Sequence, residues 1–413
     1  MKINKKLVIF TYGFPTGKSE KTFIKYELDQ LKNIFKEIEI IPQKKFDNKR
    51  VKSLNKNIKI NFNLSFKLNK LNILFKFFLH TIFEKDFYRE IYKILFKKNF
   101  LIKLKMLTIE LTMSEITYEW ILKNKLNDKK DLIFYSFWSN YILLSFEKLK
   151  RTSMNYKTIA RSLGSDLNGY IKNDDYVPYI EKKFFTLDKL FLLSKFQKKI
   201  LLKKKLINKN KIKIAPLGVY KIRNRSVKTR FSSYNILSCN NLIKIKNNLQ
   251  MINFVKVLSE NTNKKVKFYI IGDGPEYNKI SKKLLNYKKL FNYKLLKKTA
   301  NLPKFIISKN IHFFLNLSSQ EGMSFSIMEA MSCGIPVISS NIEANKYLVN
   351  KSRGYIININ NYEKSFISNA KLILKDIKSN AYLSKQSKAL SFVNKNLQNK
   401  ECFKFFLKEL KKL

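Results

Sequence analysis

Both halves of the chain open with the same order of elements: a short β-rich run, a loop and a helix-like stretch. In the first half, the run Lys6–Thr11 precedes a helical pattern over Glu20–Phe35. In the second half, Tyr234–Cys239 precedes a helical pattern over Asn248–Leu258. Strand, loop and helix in this order predict an α/β protein built from doubly wound units on parallel sheets.

A length of 413 residues predicts two domains, each large enough to bury a core. We place the boundary at Ala215–Val219, because the alternating strand pattern Lys211–Ala215 ends there and the basic stretch Lys221–Ser233 lacks apolar periodicity. The predicted parts are residues 1–217, residues 218–395, and a C-terminal segment 396–413 that packs back across the domains. An amphipathic helix is expected in that segment, with Phe403, Phe406, Leu407 and Leu410 on one face.

The formal net charge of +53 predicts attraction to nucleic acid, acidic lipids or phosphorylated ligands. Abundant Lys, Asn, Ile, Phe and Tyr are also typical of an AT-rich coding bias, so bias and an anionic partner both remain open. Residues 62–110 are rich in Lys, Phe, Leu and Ile and contain no Gly or Pro. Their apolar stripe, which includes Phe75 and Phe78, is either a core face or a membrane-docking surface.

The sequence contains few cysteine and histidine side chains that could bind a metal ion or take part in redox chemistry. Cys239, Cys333 and Cys402 are far apart and odd in number, which favours a reducing compartment. The histidines are His80 and His312 alone, and no Asp-x-Asp occurs. We therefore expect no metal site, and we expect His312, inside an apolar run, to be a buried structural residue.

No segment has the length of a membrane span, which takes about 20 apolar residues. The longest candidate, Leu71–Phe83, is short and carries Lys76 and His80. The first residues also lack the pattern of a signal peptide. The expectation is a cytoplasmic protein that is not integral to the membrane.

The most informative segment runs from Ser318 to Ile338. It follows the strand-like run Ile311–Leu317. Ser324 is a good N-cap for a helix that ends near Ser332, with Gly334 at the C′ position and Pro336 beyond. A new strand is expected to begin at Val337.

That helix start suits an anionic ligand. Glu321 and Gly322 lie in the loop before it, and the amides of Gly322, Met323 and Ser324 point out of its positive end. Glu329 follows about one and a half turns into the helix. Two carboxylates beside an anion-binding helix end suit a ligand with both phosphate and hydroxyl groups, such as a nucleotide sugar.

The segment resembles the retaining GT-B glycosyltransferases of the family 4 type, which include bacterial glycogen synthase and many polysaccharide transferases. Their hallmark is two glutamates separated by seven residues, followed by Ala-Met, a small residue, Gly and Pro-Val. The matching residues are Glu321, Glu329, Ala330, Met331, Gly334, Pro336 and Val337. The resemblance implies an α/β GT-B fold, with two Rossmann-like doubly wound domains facing a central cleft.

Other segments extend the resemblance over nearly the whole chain. Ile270–Pro275 resembles the family's strand-then-turn, and Leu237–Lys246 occupies the place of its phosphate-binding loop, with Lys246 on the family's lysine. The interdomain segment is matched by Leu217–Val219. In the first half, the segments similar to the colanic-acid and exopolysaccharide branch are Thr22–Leu28, Tyr135–Trp138 and Ala160–Asp166.

The resemblance implies a donor-binding second half and an acceptor-binding first half. Glu321 would hydrogen-bond the transferred sugar, Lys246 would neutralise the departing diphosphate, and Glu329 would bind the ribose. The catalytic candidates are therefore Glu321 and Lys246, and the donor-binding candidates are Glu329, Gly322, Met323, Ser324 and Asn241. The acceptor-side candidates are Gly13, Arg161 and Asp166.

The activity implied is transfer of a sugar from a UDP- or GDP-sugar, with retention by same-face attack. The acceptor would be a lipid-linked saccharide in cell-surface polysaccharide, capsule or lipopolysaccharide biosynthesis. No metal and no other cofactor is expected, and no nucleic-acid partner. An anionic membrane surface is an expected partner, which would place the protein peripherally at the inner face of the cytoplasmic membrane.

Several residues depart from the family pattern. Asn241 stands where the family has Arg, and Leu163 where it has His. Glu343-Ala344 and Tyr347 replace a Gly-Gly pair and a later Glu. Arg161 and Arg353 are candidates to compensate. The alternatives are a catalytically degenerate GT-B protein, a basic nucleic-acid-binding protein, and a GT-B-like sugar-nucleotide epimerase, although epimerases lack the spaced glutamates.

Overall fold

The computed structural model describes residues 3–46, 54–67, 84–126, 131–152, 156–164, 166–167, 176–222, 231–297 and 301–413. The chain divides into two compact units, Met1–Leu217 with Phe403–Leu413, and Gly218–Cys402. The apolar stripe predicted around Phe75 and Phe78 lies outside the described residues, as do residues 223–230 of the predicted linker.

The first unit is built on a seven-stranded parallel sheet of order β3-β2-β1-β4-β5-β6-β7. Its strands are β1 Ile3–Thr11, β2 Phe35–Pro42, β3 Ile58–Ile60, β4 Leu132–Ser136, β5 Lys157–Ser162, β6 Lys189–Leu192 and β7 Ile212–Ile214. Its helices are α1 Lys18–Leu31, α2 Asn63–Lys67, α3 Lys85–Ile94, α4 Phe100–Lys123, α5 Ile142–Thr152, α6 Ile180–Phe185 and α7 Lys195–Lys203. The strand order reverses between β1 and β4, which is the doubly wound arrangement that the sequence predicts.

The second unit has a six-stranded parallel sheet of order β10-β9-β8-β11-β12-β13. Its strands are β8 Ser233–Cys239, β9 Lys265–Ile271, β10 Asn292–Leu296, β11 Phe313–Asn316, β12 Val337–Ser340 and β13 Gly354–Ile357. Its helices are α8 Asn248–Glu260, α9 Tyr277–Leu285, α10 Leu302–Ser308, α11 Phe325–Ser332, α12 Glu343–Lys346, α13 Tyr362–Ile377 and α14 Ala381–Asn396. The last helix, α15, spans Asn399–Leu410.

Unbroken apolar runs become the central strands because both faces of a parallel sheet are covered by helices. Leu7–Phe10 in β1 and Phe313–Leu315 in β11 are fully buried. The predicted helix over Glu20–Phe35 is too long by four residues: α1 ends at Leu31, and Phe35 is the first residue of β2. Phe35 fits the helical spacing only by coincidence. It lies in strand β2, and its side chain is buried there.

The C-terminal segment Phe403–Leu413 belongs to the first unit, whereas the residues before it, up to Cys402, belong to the second. On the face predicted to be apolar, Phe403, Phe406 and Leu410 are buried. The ring of Phe406 packs edge-on against Phe191, with centroids 4.5 Å apart. This packing makes residues near the end of the chain part of the first unit's core.

Glu409 fastens the same segment through ion pairs. Its carboxylate lies 3.0 Å from Lys189 Nζ and 2.9 Å from Lys412 Nζ. Burial alone would raise the pKa of Glu409, but the hydrogen bonds from Lys412 and Lys189 lower it to about 2. Because this pKa lies below the unfolded value of about 4.3, the stabilisation is present at neutral pH and is lost as the pH falls towards 2.

Replacing Glu409 by Gln should therefore lower the free energy of unfolding of the first unit by about 1–2 kcal/mol at pH 7. Both tryptophans of the chain, Trp120 and Trp138, lie in this unit, so indole fluorescence during urea titration reports its unfolding. The difference between variant and wild type should shrink as the pH falls from about 5 to 2. A difference that is constant over this range would show that the charge of Glu409 contributes nothing.

Among the described residues, no helix combines the length and the hydropathy that crossing a bilayer requires.

Candidate functional site

The second unit reverses its strand order between β8 and β11, which lie side by side and parallel. In open α/β sheets, ligands bind beyond the carboxyl ends of the strands at such a point. The loop after β8 runs through the 3₁₀ turn Lys244–Lys246, and the loop after β11 leads to helix α11. The candidate residues Lys246 and Glu321 thus follow neighbouring strands and are brought together.

Lys246 and Glu321 form an ion pair, with Lys246 Nζ 2.7 Å from Glu321 Oε1. The side chains are 15% and 10% exposed, so the pair is largely withdrawn from water yet reachable. Attraction between charges is stronger in such a place than at an open surface. The Lys246 ammonium and the Glu321 carboxylate therefore keep each other in position beyond the carboxyl ends of β8 and β11.

Asn316, the last residue of β11, positions Glu321. It is buried, and its Nδ2 donates to Glu321 Oε1 at 3.3 Å, while its Oδ1 accepts from the amide of Ser318 at 3.2 Å. The two loops are tied directly as well, because the amide of Ser319 donates to the carbonyl of Ile245 at 2.8 Å. The geometry of the pair is thus fixed from the ends of both strands.

Helix α11 begins and ends where the sequence predicts. Ser324 is its N-cap residue, and Gly334 follows it with φ +66°, the left-handed conformation that glycine accommodates. The Ser324 hydroxyl, however, makes no capping hydrogen bond; it contacts Ser326 Oγ at 3.2 Å. Capping by the Ser324 side chain is therefore a wrong expectation, although the position is right.

The amides ahead of α11 are available to a ligand. Gly322, Met323 and Ser324 are buried, and their backbone N–H groups donate to no acceptor within the described part of the chain. Such amides at the positive end of a helix favour an anionic or hydroxyl oxygen. They lie one to three residues after Glu321 along the same loop.

Glu329 is half-buried on α11. The negative charge of its carboxylate disfavours ionisation of the thiol of Cys239, the last residue of β8. Burial, with a contribution from the charge of Glu329, raises the pKa of the Cys239 thiol to about 12. The thiol is therefore protonated at physiological pH and is a poor nucleophile. This places Glu329 near the carboxyl end of β8, where Lys246 also follows.

The rate at which iodoacetamide alkylates Cys239 should consequently rise about tenfold per pH unit from pH 7 to 10 without a plateau. Peptide mass spectrometry distinguishes Cys239 from the buried Cys333 and Cys402. Glu329→Gln removes a carboxylate that opposes the thiolate, so it should raise the rate at pH 8. A plateau near pH 9 in the wild type would contradict the raised pKa.

Two glycines in the turn after β9 pack against the loop after β8; both lie in the segment Ile270–Pro275, which resembles the family's strand-then-turn. A Cβ on Gly272 would lie 2.0 Å from the carbonyl oxygen of Asn240, and one on Gly274 would lie 2.6 Å from that of Leu242. Gly274 also has φ +153°. The turn after β9 is therefore glycine-rich because the backbone of residues 240–242 packs directly against it.

Asn241, where the resemblance implies Arg, is exposed on this loop. The compensation proposed for Arg353 finds no support in its placement: its guanidinium donates to the carbonyls of Leu348 and Tyr347 at 3.0 and 2.9 Å. It also stacks on Phe392, 3.8 Å from the ring centroid. Lys246 is the cation that the structure places beside Glu321.

In the first unit, the loop after β1 is closed by an acidic side chain that no motif in the sequence indicates. The Glu20 carboxylate accepts hydrogen bonds from the amides of Tyr12, Gly13 and Phe14 at 2.5–2.9 Å, and from the indole of Trp138. Gly13 is thus placed at the end of β1, beside the loop after β4. Its amide already has an acceptor within the protein.

Arg161 is 1% exposed and lies in the core of the first unit. Its Nε is 2.9 Å from Glu27 Oε2 and donates to the Tyr135 hydroxyl at 3.0 Å. Burial alone would lower the pKa of Arg161, but the Glu27 carboxylate raises it above its usual value. An acceptor-binding or compensating role for Arg161 therefore requires correction, because its guanidinium is enclosed.

Asp166 lies half-buried after β5, where its carboxylate accepts from the amides of Ser139 and Gly164 at 3.0 and 2.8 Å. It joins the loops after β4 and β5. Leu163, where the resemblance implies His, is buried, and its amide also donates to Asp166. Of the three acceptor-side candidates, Gly13 and Asp166 lie at the carboxyl edge of the sheet, and Arg161 does not face it.

His312 is a buried structural residue, as expected. Its Nδ1 accepts from the amide of Asn235 at 2.9 Å, and its ring packs edge-on against Phe231. In the described ranges of the chain, no three His, Cys, Asp or Glu side chains group as metal ligands would.

The second unit is similar to a known protein family. Residues 223–390 match the family model "Glycosyl transferases group 1". This part of the chain is similar to that glycosyltransferase family. The matched range contains Lys246, Glu321 and Glu329, so the ion pair and the free amides lie within the part of the chain that is similar to this family.

A curated relative and two solved structures are informative. The UDP-Gal:alpha-D-GlcNAc-diphosphoundecaprenol alpha-1,3-galactosyltransferase of Escherichia coli is 33% identical over 138 residues, 32% of this chain and 31% of that enzyme. Sucrose-phosphate synthase from Thermosynechococcus elongatus superposes with a TM-score of 0.69 at 9% identity, covering 99% of each chain. Anabaena HepE in complex with UDP and glucose superposes with a TM-score of 0.65 at 11% identity, covering 99% of this chain and 100% of that one.

The matched segment thus spans about a third of the curated relative's length. The structural matches, which cover nearly the whole chain, show that the two parallel-sheet units have the GT-B fold. The predicted fold class is confirmed.

Proposed function

We propose that the protein is a glycosyltransferase that moves a sugar from a nucleotide-sugar donor to a lipid-linked saccharide acceptor. The observation that carries this proposal is the Lys246–Glu321 ion pair at the switch point of the second unit, beside amides that have no protein acceptor. Cation, carboxylate and free amides together suit a ligand with a diphosphate and sugar hydroxyls.

Lys246 and the amides of Gly322, Met323 and Ser324 would hold the diphosphate and stabilise the negative charge that develops on it as the glycosidic bond breaks. Glu321 would accept hydrogen bonds from hydroxyls of the transferred sugar. Glu329 would bind the ribose. Preorganised positive charge lowers the barrier because it need not rearrange during the reaction.

Three finer assignments belong to the same proposal. The donor is a UDP-sugar in preference to a GDP-sugar, which is supported by the names of the E. coli relative and of the HepE complex. Transfer occurs with retention, by same-face attack. The pathway is cell-surface polysaccharide, capsule or lipopolysaccharide assembly, in the colanic-acid branch of the family 4 type, and the lipid-linked acceptor keeps the enzyme at the inner face of the cytoplasmic membrane.

A thermal-shift screen with UDP, GDP and ADP and their glucose and galactose conjugates tests the donor assignment. A ligand at a hundred times its Kd stabilises the folded state by about 2.7 kcal/mol, which is measurable in the unfolding of one domain. UDP and a UDP-sugar should raise the melting temperature more than the GDP series. No shift with any nucleotide would overturn the proposal.

Metal independence is part of the proposed mechanism, since Lys246 and the helix amides take the place of a cation bridging the diphosphate. Transfer from UDP-sugar should keep more than about half its rate in excess EDTA, as the leaving-group charge is met by protein donors. A complete loss that Mg²⁺ restores would refute this part while leaving the donor assignment intact.

A further inference from the structure

Helices α3 and α4 expose a set of large apolar side chains around the turn that joins them. Tyr88, Tyr92 and Phe96 recur at intervals of four residues, which places them on one stripe of α3 and its extension. Phe96 is 90% exposed, Tyr92 76% and, at the start of α4, Leu101 76%. The complete set is Tyr88, Tyr92, Leu95, Phe96, Leu101 and Ile102, here named the turn surface.

These residues are not a poorly formed core, because the same helices bury a different face. Phe87, Ile94 and Leu107 are at most 8% exposed and form a cluster with Leu111, Leu144 and Tyr176. The turn surface lies beside that packed stripe; within it, the ring of Tyr88 packs edge-on against Phe87, whereas Phe96 and Leu101 are largely exposed. Contiguous apolar side chains in water indicate an interaction site.

Positive charge predominates at the surface of these helices. Each acidic residue between 84 and 110 has a lysine partner: Glu84 with Lys148, Asp86 with Lys182, Glu90 with Lys93 and Glu110 with Lys183. Lys85, Arg89, Lys98 and Lys105 are exposed and make no ion pair among the described residues. The rim of the turn surface is therefore positive.

Apolar and aromatic side chains ringed by lysine and arginine are the chemistry of an anionic bilayer interface. Tyr and Phe enter the headgroup region, and lysine stems extend their charges to lipid phosphates. A protein partner would need a surface that is both apolar and acidic, whereas an anionic membrane presents acidic headgroups over an apolar interior everywhere. Charge complementarity favours the membrane.

We propose that the turn surface docks the protein on an anionic membrane, with Phe96 and Leu101 inserted and Lys98 and Lys105 against lipid phosphates. The inference rests on the proposed function in that a lipid-linked acceptor requires the enzyme at a bilayer. It assigns the docking to residues 88–105 of the first unit, outside the donor-binding residues.

Co-sedimentation of the full chain with vesicles of phosphatidylcholine and 0–40% phosphatidylglycerol, at about 0.05 and 0.5 M salt, tests the assignment. Phe96→Ser/Leu101→Ser should reduce partitioning at least about tenfold, because both side chains lose apolar burial. Lys98→Gln/Lys105→Gln should reduce it about 30-fold at low salt and little at high salt. Matched controls in the second unit are Leu285→Ser/Ile367→Ser and Lys288→Gln/Lys289→Gln, which replace exposed apolar residues and exposed lysines.

The proposal is overturned if the wild type ignores lipid charge, or if the turn-surface variants bind vesicles as well as the control variants do. A thermal shift with UDP, measured on the same samples, keeps the two proposals apart. Vesicle binding without any nucleotide shift supports the docking surface and removes the proposed donor. A nucleotide shift without selective vesicle binding removes the docking surface alone.

Discussion

Replacing Glu321 by Gln is expected to reduce sugar transfer by a factor on the order of 10²–10³ while the protein remains folded. The amide is nearly the same size and still offers Asn316 an acceptor oxygen, so the loop after β11 should keep its course. What disappears is the negative charge that faces Lys246 at 2.7 Å. Transfer from a radiolabelled or fluorescent UDP-sugar measures the loss.

Although Glu321→Gln should reduce transfer, we do not expect it to weaken the binding of UDP. With no carboxylate competing for Lys246, free UDP should bind equally well or up to about fivefold more tightly, as judged by calorimetry. Lys246→Gln should instead weaken UDP about tenfold or more, since a charge-assisted contact is lost. Glu260→Gln, which breaks the exposed Lys256–Glu260 pair, is the matched control and should change neither quantity. Wild-type transfer rates in Glu321→Gln would remove this residue from the active site.

Arg161→Met should destabilise the first unit by about 3–5 kcal/mol, because it leaves the Glu27 carboxylate buried without a cation. The change also removes the guanidinium that lies 4.9 Å from the ring centroid of Phe406, so the C-terminal segment should loosen at the same time. Indole fluorescence of Trp120 and Trp138 during urea titration measures the effect in this unit.

Two variants separate buried charge from general disruption. Glu27→Leu/Arg161→Met removes both charges and should recover much of the lost stability. Arg151→Met, which breaks an i,i+4 pair with Glu147 in which the arginine is 60% exposed, should cost less than about 1 kcal/mol. Equal losses in Arg151→Met and Arg161→Met would show that the enclosed ion pair has no special weight.

The sequence predicts best where a structure depends on neighbouring residues. The bounds of helix α11 are predictable because a cap position, an apolar run and Gly334 lie within a dozen residues and act locally. The end of α1 is not predictable in this way, because Phe35 suits a helix stripe and a buried strand equally well. Spacing alone cannot decide between two elements that would bury the same side chain.

Partners distant in sequence were not predictable in the same way. Glu20 accepts a hydrogen bond from the indole of Trp138, which lies 118 positions away in the sequence. Arg161 forms its ion pair with Glu27 only once β5 lies near α1. The resemblance of Ala160–Asp166 to the family makes Arg161 a candidate site residue. No residue near it in the sequence indicates that its guanidinium pairs with the buried carboxylate of Glu27. The convergence of Lys246 and Glu321 was expected from family resemblance, and its physical cause is the adjacency of β8 and β11.

The return of Phe403–Leu413 to the first unit has a consequence for synthesis on the ribosome. Residues 1–217 emerge first, yet the aromatic ring that packs on Arg161 and Phe191 arrives only after the whole of Gly218–Cys402 has been translated. At typical elongation speeds this delay lasts roughly ten seconds or more. During that interval the nascent first unit lacks the ring that packs on Phe191, so chaperones that bind apolar surface should act on it there.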